Sequence, residues 1–194
     1  MGVLALQGDF REHVTLLAAM EVEAVEVRVP EDLVGLDAIV IPGGESTTIG
    51  RLARGHGLIE PLRDAIRGGL PALGTCAGMI FLAAATTGPD QPQLGVLDVI
   101  VERNAFGRQV DSFEADLPMA GQGDPVHAVF IRAPWIEKLG TDVEVLTSVA
   151  DPASGEVRPV FVRQGRILAT AFHPELTGET RIHAMLLDLA RKEQ

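Results

Sequence analysis

The chain contains one cysteine, Cys76, and its surroundings are those of a nucleophile. It lies in the segment Gly74-Thr75-Cys76-Ala77-Gly78, between a strand-like apolar run and a helix-like one. This G-x-C-x-G pattern matches the nucleophile elbow, in which flanking glycines allow a sharp strand-to-helix turn. The N–H groups that open the following helix favour a thiolate. The pattern predicts a reactive thiol, although a buried structural cysteine is the alternative.

A histidine and a carboxylate stand two positions apart near the other end of the chain, in Phe172-His173-Pro174-Glu175. In an extended segment, residues i and i+2 point to the same side, and proline biases the preceding residue toward that conformation. A thiol nucleophile needs a base, and the base needs a group that orients it. The sequence therefore predicts a triad of Cys76, His173 and Glu175.

The glycine pair Gly43-Gly44 follows a predicted strand at residues 38–41. In open α/β sheets, ligands bind at the carboxyl ends of the strands. A glycine pair there could turn a backbone N–H into the site, where it would form a two-donor oxyanion hole with the N–H of Ala77. Glycine pairs also form ordinary tight turns, so the residues alone leave both interpretations open.

Six segments together resemble one family, the class I glutamine amidotransferases. They are residues 6–8 (LQG), 42–48 (PGGESTT), 74–79 (GTCAGM), 103–109 (RNAFGRQ), 130–134 (FIRAP) and 172–176 (FHPEL). Within that family they look like the glutaminase subunit of pyridoxal 5'-phosphate synthase. The segments run in the family's order from residue 6 to residue 176, so the resemblance covers nearly the whole chain.

The resemblance implies one glutamine amidotransferase domain over residues 1–194, an α/β three-layer sandwich of the flavodoxin-like type. It implies hydrolysis of L-glutamine to L-glutamate and ammonia through a thioester on the cysteine. It also makes an oxyanion hole from Gly44 and Ala77 the expected arrangement. The residues expected to line the glutamine pocket are Gly44, Glu45, Ser46, Arg103, Ile131 and Arg132. A carboxylate and a guanidinium there suit the ammonium and carboxylate of an amino acid.

The resemblance also implies a partner, a (β/α)₈-barrel synthase subunit that makes pyridoxal 5'-phosphate from a pentose phosphate and a triose phosphate. The expected assembly is a ring-shaped hetero-oligomer in which docking activates the glutaminase, with Gln7 in the docking region. The sequence itself agrees, because it contains no P-loop pattern or other acceptor site for ammonia. No cofactor and no metal ion are predicted.

Composition limits the class of protein. The 194 residues suffice for one α/β domain, and 46% of them are hydrophobic, which excludes a disordered chain. A formal charge of −11 argues against nucleic-acid binding. One cysteine cannot form an internal disulfide, which favours a reducing, cytoplasmic compartment. Residues 1–6 lack a basic flank and read as a buried strand rather than a signal peptide, and no apolar run reaches the roughly 20 residues of a membrane span.

Strands and helices alternate over the first half of the chain, which predicts a mostly parallel sheet with helices on both faces. The predicted strands are residues 3–7, 24–29, 38–41 and 72–73, and the predicted helices are residues 11–20, 59–67 and 79–85. The second half reads as strands at residues 96–102, 112–115, 127–132, 143–149, 157–162 and 167–171, which predicts antiparallel additions. A last helix at residues 179–191 carries Ile182, Met185, Leu186 and Leu189 at helical spacing.

Several polar residues carry weaker signals. The histidines at positions 13, 56, 127 and 183 lack the spacing of metal ligands and read as surface or helix-face residues, while Asp111, Glu114 and Asp116 read as an acidic surface patch. Residues 88–93 and 121–125 read as surface loops. Trp135 could anchor a helix or an interface, and the sequence does not decide between them.

Three rival functions stay open. The first is a glutaminase for another pathway, such as imidazole glycerol phosphate synthesis. The second is a cysteine hydrolase, deglycase or chaperone on a related fold, although those proteins usually place a histidine directly after the cysteine, where this chain has Ala77. The third is a non-enzymatic interaction module, which the intact Cys, His and Glu argue against.

Overall fold

The first half of the chain alternates strands and helices, and the second half is mostly strands. The computed structural model describes residues 1–103, 112–119, 123–151 and 154–191. Within them, helices α1 to α5 span Phe10–Ala19, Ser46–Gly55, Ile59–Arg67, Ala77–Leu82 and Thr180–Arg191. Strands β1 to β12 span Gly2–Leu4, Val25–Val27, Ile39–Ile41, Ala72–Thr75, Ala83–Thr86, Leu97–Glu102, Ser112–Leu117, Val126–Ile131, Trp135–Leu139, Glu144–Ala150, Val157–Gln164 and Ile167–Thr170. Short 3₁₀ helices cover Pro30–Leu33 and Pro174–Leu176.

Seven strands form the main sheet, in the order β10-β11-β12-β4-β3-β1-β2. The five strands from β12 to β2 are parallel, and β11 pairs antiparallel with both β10 and β12. The central strands β1, β3, β4 and β12 are buried along their whole length, which explains why their sequences are largely apolar rather than alternating. This confirms the predicted α/β fold, a mainly parallel mixed sheet flanked by helices.

Two smaller sheets lie beside the main one. Strands β5, β6 and β9 form a three-stranded sheet, and β7 pairs antiparallel with β8. The rings of Phe113 and Phe130 stack across the β7–β8 pair with their centroids 4.4 Å apart. Because β8 ends at Ile131, this pair carries residues 131 and 132 toward the carboxyl ends of the central strands.

One predicted helix is partly wrong. The sequence predicts a helix over residues 79–85, but α4 ends at Leu82 and residues 83–86 form β5, which pairs with β6. The run from Ala77 to Ala85 is uniformly apolar, so it has no periodicity that separates a buried helix from a buried strand. Pairing with a distant strand decides the outcome.

Two elements have no counterpart in the sequence prediction. Helix α2 begins directly after the glycine pair, where the Glu45 side chain accepts hydrogen bonds from the backbone N–H groups of Thr47 and Thr48. Strand β9 begins at Trp135, which is 9% exposed and lies under the guanidinium of Arg158, 4.0 Å from the ring centroid. Trp135 therefore lies in a strand and not in a helix.

Helix α5 follows the predicted amphipathic pattern. Ile182, Leu186 and Leu189 are buried, and Met185 packs against the core while partly exposed. Among the described residues, Phe81, Phe130, Phe161 and Phe172 are fully buried in the core. Within the described part of the chain, no helix is both long enough and apolar enough to cross a membrane.

The loop at residues 88–93 is only partly on the surface. Residues 88–90 are exposed as predicted, but Gln91 is 7% exposed and lies in the interior. Its side chain is bonded to residues that follow the glycine pair, so the loop packs against the start of α2. Of the second predicted loop, residues 121–125, positions 121 and 122 lie outside the described residues.

Candidate active site

Four chain segments meet at the carboxyl edge of the parallel strands. They leave β1, β3, β4 and β12 and bring Gln7, the glycine pair, Cys76 and His173 together. A cavity of about 470 Å³ opens there, lined by Gln7, Asp9, Gly44, Glu45, Ser46, Cys76, Ala77, Ile80, Arg103, Ile131, Arg132 and His173. Every residue predicted for the triad, the oxyanion hole, the glutamine pocket or the docking region lines it except Glu175, which lies behind His173.

Cys76 occupies a strained turn between β4 and α4. Its φ is +48° and its ψ is −104°, a backbone conformation that residues other than glycine rarely adopt. Glycine is required beside it, because a Cβ on Gly78 would lie 2.0 Å from the carbonyl oxygen of Ile41. The residue is 6% exposed, and its Sγ lies 3.9 Å from the carbonyl oxygen of Ile131. The backbone thus holds the sulfur at the cavity wall.

His173 and Glu175 form a buried hydrogen-bonded pair. Nδ1 of His173 lies 2.6 Å from Oε1 of Glu175, and the two residues are 3% and 7% exposed. The expected extended geometry is not found, because His173 has a φ of −109° and a ψ of 86° and Pro174–Leu176 forms a 3₁₀ helix. Proline fits the first position of such a turn, because an N–H at that position would have no acceptor within the helix and its loss costs nothing. The turn, and not strand alternation, brings the carboxylate beside the ring.

The electrostatics of the pair favour a protonated imidazole. Burial by itself would lower the pKa of His173, but its interactions with Cys76 and Glu175 outweigh burial and raise this pKa to about 10. Burial raises the pKa of Glu175, and the hydrogen bond from His173 opposes that change. A more exposed carboxylate, Asp9, lies 3.5 Å from Nδ1 of His173. Asp9 is not among the predicted site residues, although its position just after Gln7 and Gly8 at the strand edge is a usable signal.

The glycine pair packs directly against the histidine and the first strand. A Cβ on Gly43 would lie 2.4 Å from Cε1 of His173, and Gly44 has a φ of +141°, which favours glycine. Gln7 holds Glu45, the residue after this glycine pair, because Oε1 of Gln7 accepts a hydrogen bond from the N–H of Glu45 at 2.8 Å. Gln7, which was predicted to lie in the docking region, therefore contacts this turn.

Glu45 and Arg103 are paired with each other. Nη2 of Arg103 lies 2.8 Å from Oε1 of Glu45, while Nη1 donates to Thr47 and Gln91 at 3.0 and 3.1 Å. Burial would raise the pKa of Glu45, but hydrogen bonds from Thr48 and Thr47 and the charge of Arg103 outweigh it and lower this pKa. Gln91 also accepts from Ser46 at 3.1 Å, and nothing in its sequence context distinguishes it from the loop around it.

Part of the cavity lining comes from the end of β8. Ile131 is 38% exposed, and Arg132 is exposed with a φ of +42°. Such a backbone is strained for a residue with a side chain and is often found at ligand-binding positions. Residues 104–109, which belong to one of the six characteristic segments, lie outside the described residues.

The four histidines divide between the two predicted kinds of position, the surface and the faces of helices. His56 and His127 are exposed as predicted, and His127 lies between Asp116 and Glu114 at 2.8 and 3.0 Å. His13 and His183 are instead completely buried, because the faces of α1 and α5 that carry them pack inward. Of the predicted acidic patch, Glu114 and Asp116 are exposed and Asp111 lies outside the described residues.

The potential metal donors in this region are two residues of the triad and Asp9. Ligand atoms of Asp9, His173 and Glu175 lie within 4.8 Å of one another, the closeness that a metal ion would need. The hydrogen bond between His173 and Glu175 already accounts for this closeness. The arrangement as it stands can do acid-base and nucleophilic chemistry without a further group: a thiol, an imidazole and an orienting carboxylate beside an open cavity.

Comparison with known proteins places this geometry in context. The family model of the SNO glutamine amidotransferase family matches residues 3–191. The chain is 59% identical to the pyridoxal 5'-phosphate synthase subunit PdxT of Parafrankia sp. (strain EAN1pec), over 100% of this chain and 94% of that protein. It is 57% identical to PdxT of Thermus thermophilus, over 98% and 97% of the two chains.

Solved structures give the same result at the level of the fold. A crystal structure of a glutamine amidotransferase is 54% identical, with a TM-score of 0.90 over 97% of both chains. The structure of PurLQS from Thermotoga maritima is only 16% identical, with a TM-score of 0.70 over 96% of both chains. The similarity to PurLQS shows a shared fold and nothing more.

Proposed function

This chain belongs to the SNO glutamine amidotransferase family, and from that premise we propose that it hydrolyses L-glutamine and delivers the ammonia to a synthase that makes pyridoxal 5'-phosphate. The observation that carries the proposal is the buried 2.6 Å pair of His173 and Glu175, whose histidine lines the same cavity as Cys76. The names of the PdxT relatives support the pathway over the rival glutaminase and chaperone interpretations.

The first half of the reaction transfers the acyl group to the enzyme. Cys76 Sγ, after losing its proton to His173, attacks the carboxamide carbon of glutamine. The C–N bond then breaks as the imidazolium of His173 returns a proton to the departing nitrogen, which leaves as ammonia. Glu175 holds Nδ1–H of the ring, so that Nε2 faces the reacting atoms.

The second half releases glutamate. His173 takes a proton from a water molecule, whose oxygen attacks the carbonyl carbon of the thioester. The C–S bond breaks and the sulfur recovers a proton from His173, so the enzyme returns to its starting state. In both halves negative charge develops on the carbonyl oxygen. We assign its stabilisation to the N–H groups of Gly44 and Ala77, the latter at the first position of α4, where no intrahelical acceptor is available.

The glutamine pocket is assigned to Gly44, Glu45, Ser46, Arg103, Ile131 and Arg132. Arg132 is the guanidinium that suits the substrate carboxylate, because no hydrogen bond or ion pair engages it within the described residues. Arg103 is already bonded to Glu45 and holds that side chain at the rim. Glu45 then offers its remaining acceptor capacity to the substrate ammonium.

This assignment predicts the effect of replacing Arg103 with alanine. The change removes charge-assisted bonds to Glu45, Thr47 and Gln91, each typically worth about 1.5 to 3 kcal/mol. The KM for glutamine should rise at least about tenfold, with a smaller change in kcat. Arg51, exposed on the same helix as Thr47, provides the matched control, since its replacement by alanine should leave both constants unchanged. An unchanged KM in the Arg103 variant would contradict the assignment.

The partner is assigned by resemblance as a (β/α)₈-barrel synthase subunit, in a ring-shaped hetero-oligomer in the cytoplasm, where Cys76 stays reduced. Docking near Gln7 would act on the turn at Gly43 and Gly44 through the 2.8 Å bond from Glu45 N–H to Gln7. A partner that binds the active arrangement of this turn more tightly shifts the population toward it. Free glutamine hydrolysis would otherwise waste glutamine.

The direct test compares glutamate production by the purified chain alone and with a pyridoxal 5'-phosphate synthase barrel subunit. We expect turnover to rise when the two proteins form a complex. Glutamine hydrolysis with no dependence on the barrel, and no complex at about micromolar concentration, would contradict the partner assignment while leaving the glutaminase intact. Absence of hydrolysis in both conditions would contradict the glutaminase itself.

A further inference from the structure

A pair of buried histidines lies directly behind the triad carboxylate. His13 on α1 and His183 on α5 are fully buried, with Nδ1 of His13 2.9 Å from Nε2 of His183. The second ring nitrogen of His13, Nε2, lies 3.2 Å from Oγ1 of Thr75 and 3.5 Å from Oε2 of Glu175. The reaction steps above use none of these contacts, so the pair needs an explanation of its own.

The carboxylate of Glu175 is satisfied on one side only. Its Oε1 accepts from His173, whereas Oε2 is buried without a hydrogen-bond partner among the described residues. A buried carboxylate oxygen without a donor is costly. His13 Nε2 faces this oxygen at a distance that is long for a hydrogen bond, but catalytic bonds are often long without substrate and shorten when it binds.

The position of the protons on His13 follows from its neighbours. If Nε2 were unprotonated, its lone pair would face the anionic Oε2 of Glu175, which is unfavourable. With the proton on Nε2, His13 can donate toward Glu175 and Thr75, and its Nδ1 then accepts from Nε2–H of His183. The remaining nitrogen of His183, Nδ1, is then an unprotonated acceptor. It makes no hydrogen bond of ordinary geometry within the described part of the chain, and the backbone of Glu179, which favours a proton on this ring, opposes this tautomer.

We propose that His13 is a positioning residue of the glutaminase, whose Nε2–H holds the second carboxylate oxygen of Glu175 while His183 fixes the tautomer of His13. The hydrogen bonds then run in one direction, from His183 through His13 to Glu175, which in turn orients His173. This inference rests on the proposed function, since it gives the pair a role in the same triad.

His13 and His183 can form this chain of hydrogen bonds because both rings are held in the neutral form. Burial, together with the charges of His183 and His173, lowers the pKa of His13 well below its ordinary value. Burial lowers the pKa of His183 to about 4, against the opposing effect of Glu179. The groups that face His13 are His183 on α5, Thr75 at the end of β4, and Glu175 and His173 beyond β12. A neutral His13 can take only one of two tautomers.

The tautomer can be measured on the unmodified protein. Long-range ¹H–¹⁵N correlation spectra of ¹⁵N-histidine-labelled chain distinguish a protonated from an unprotonated ring nitrogen. We expect His13 and His183 to be protonated on Nε2 at neutral pH. The opposite tautomer, with His13 protonated on Nδ1, would leave Nε2 without a proton to donate to Glu175, and it would overturn the proposal whether or not the enzyme is active.

Kinetics then separate positioning from packing. His13→Leu removes both ring nitrogens, whereas His13→Gln keeps an amide donor near the position of Nε2. In the complex with the synthase subunit, we expect kcat of the leucine variant to fall about 10- to 100-fold, as when a partner behind a liganding histidine is removed, with little change in KM. The glutamine variant should recover most of kcat. His56→Leu, at an exposed histidine, is the matched control.

Two kinetic outcomes would overturn the proposal. One is a folded leucine variant with wild-type kcat, and the other is equal loss in the leucine and glutamine variants, which would indicate packing alone. If the leucine variant does not fold, the comparison of His13→Gln with wild type and the tautomer measurement still decide. An inactive wild-type protein would instead contradict the proposed function, so the two failures are distinguishable.

Discussion

Replacing Cys76 with alanine is expected to lower glutamine hydrolysis by about 10⁴-fold or more. The sulfur is the atom that forms the bond to the substrate, and the members of a triad act as a unit, so the loss of one removes most of the rate. The fold should survive, because alanine bears the same strain as cysteine at a φ of +48° and fills a site that is only 6% exposed. The measurement is glutamate production by the assembled complex.

The control for this variant is its own stability and assembly. The urea unfolding midpoint and the affinity for the synthase subunit should match those of the wild type, so that lost activity reflects lost chemistry. Retention of about a tenth of wild-type turnover by a well-folded variant would exclude Cys76 as the nucleophile, since the expected loss is far larger.

Changes at His173 and Glu175 should produce unequal losses. His173→Ala removes the group that moves every proton in the cycle, so its defect should approach that of the cysteine variant. Glu175→Gln keeps the shape and removes the charge, and its loss should be roughly ten- to a hundredfold smaller. The order of the three variants, measured as kcat of the complex, is the test. Wild-type activity in the His173 variant between about pH 6 and 9 would exclude its role.

The Glu175→Gln change should also shift the pH dependence of kcat. In the wild type, His173 holds its proton until the pH approaches its pKa of about 10, so the imidazolium that protonates the departing nitrogen persists through neutral pH. Glu175 is one cause of this raised pKa, and its neutralisation removes that contribution. The alkaline limb of kcat should therefore shift to lower pH in Glu175→Gln. An alkaline limb at the wild-type position would show that the carboxylate does not govern this proton.

The parts of the site that depend on local pattern were predictable from the sequence. Glycines beside Cys76 are needed because the turn leaves no room for a Cβ, and that requirement is visible as G-x-C-x-G. The parallel strands were visible as apolar runs, because both of their faces are buried. The closeness of His173 to Glu175 was also predicted, although a 3₁₀ turn and not an extended segment produces it.

The parts that depend on distant contacts were not predictable. Residues 83–86 form a strand because β6 lies beside them, and their own composition does not require it. Gln91 is buried where it hydrogen-bonds to Ser46 and Arg103, which are distant from it or in another segment of the sequence. His13 and His183 are 170 positions apart, and only the packing of α1 and α5 brings their rings together. The spacing of residues along the sequence does not predict such long-range pairs.

The most direct measurement of the central claim is the covalent intermediate. The complex is mixed with L-glutamine, quenched in acid within one turnover, digested and analysed by mass spectrometry. A glutamyl group in thioester linkage is expected on the peptide that contains Cys76, and it should be absent from the Cys76→Ala variant treated in the same way. Steady hydrolysis of glutamine without any adduct on Cys76, or an adduct on another residue, would contradict the account.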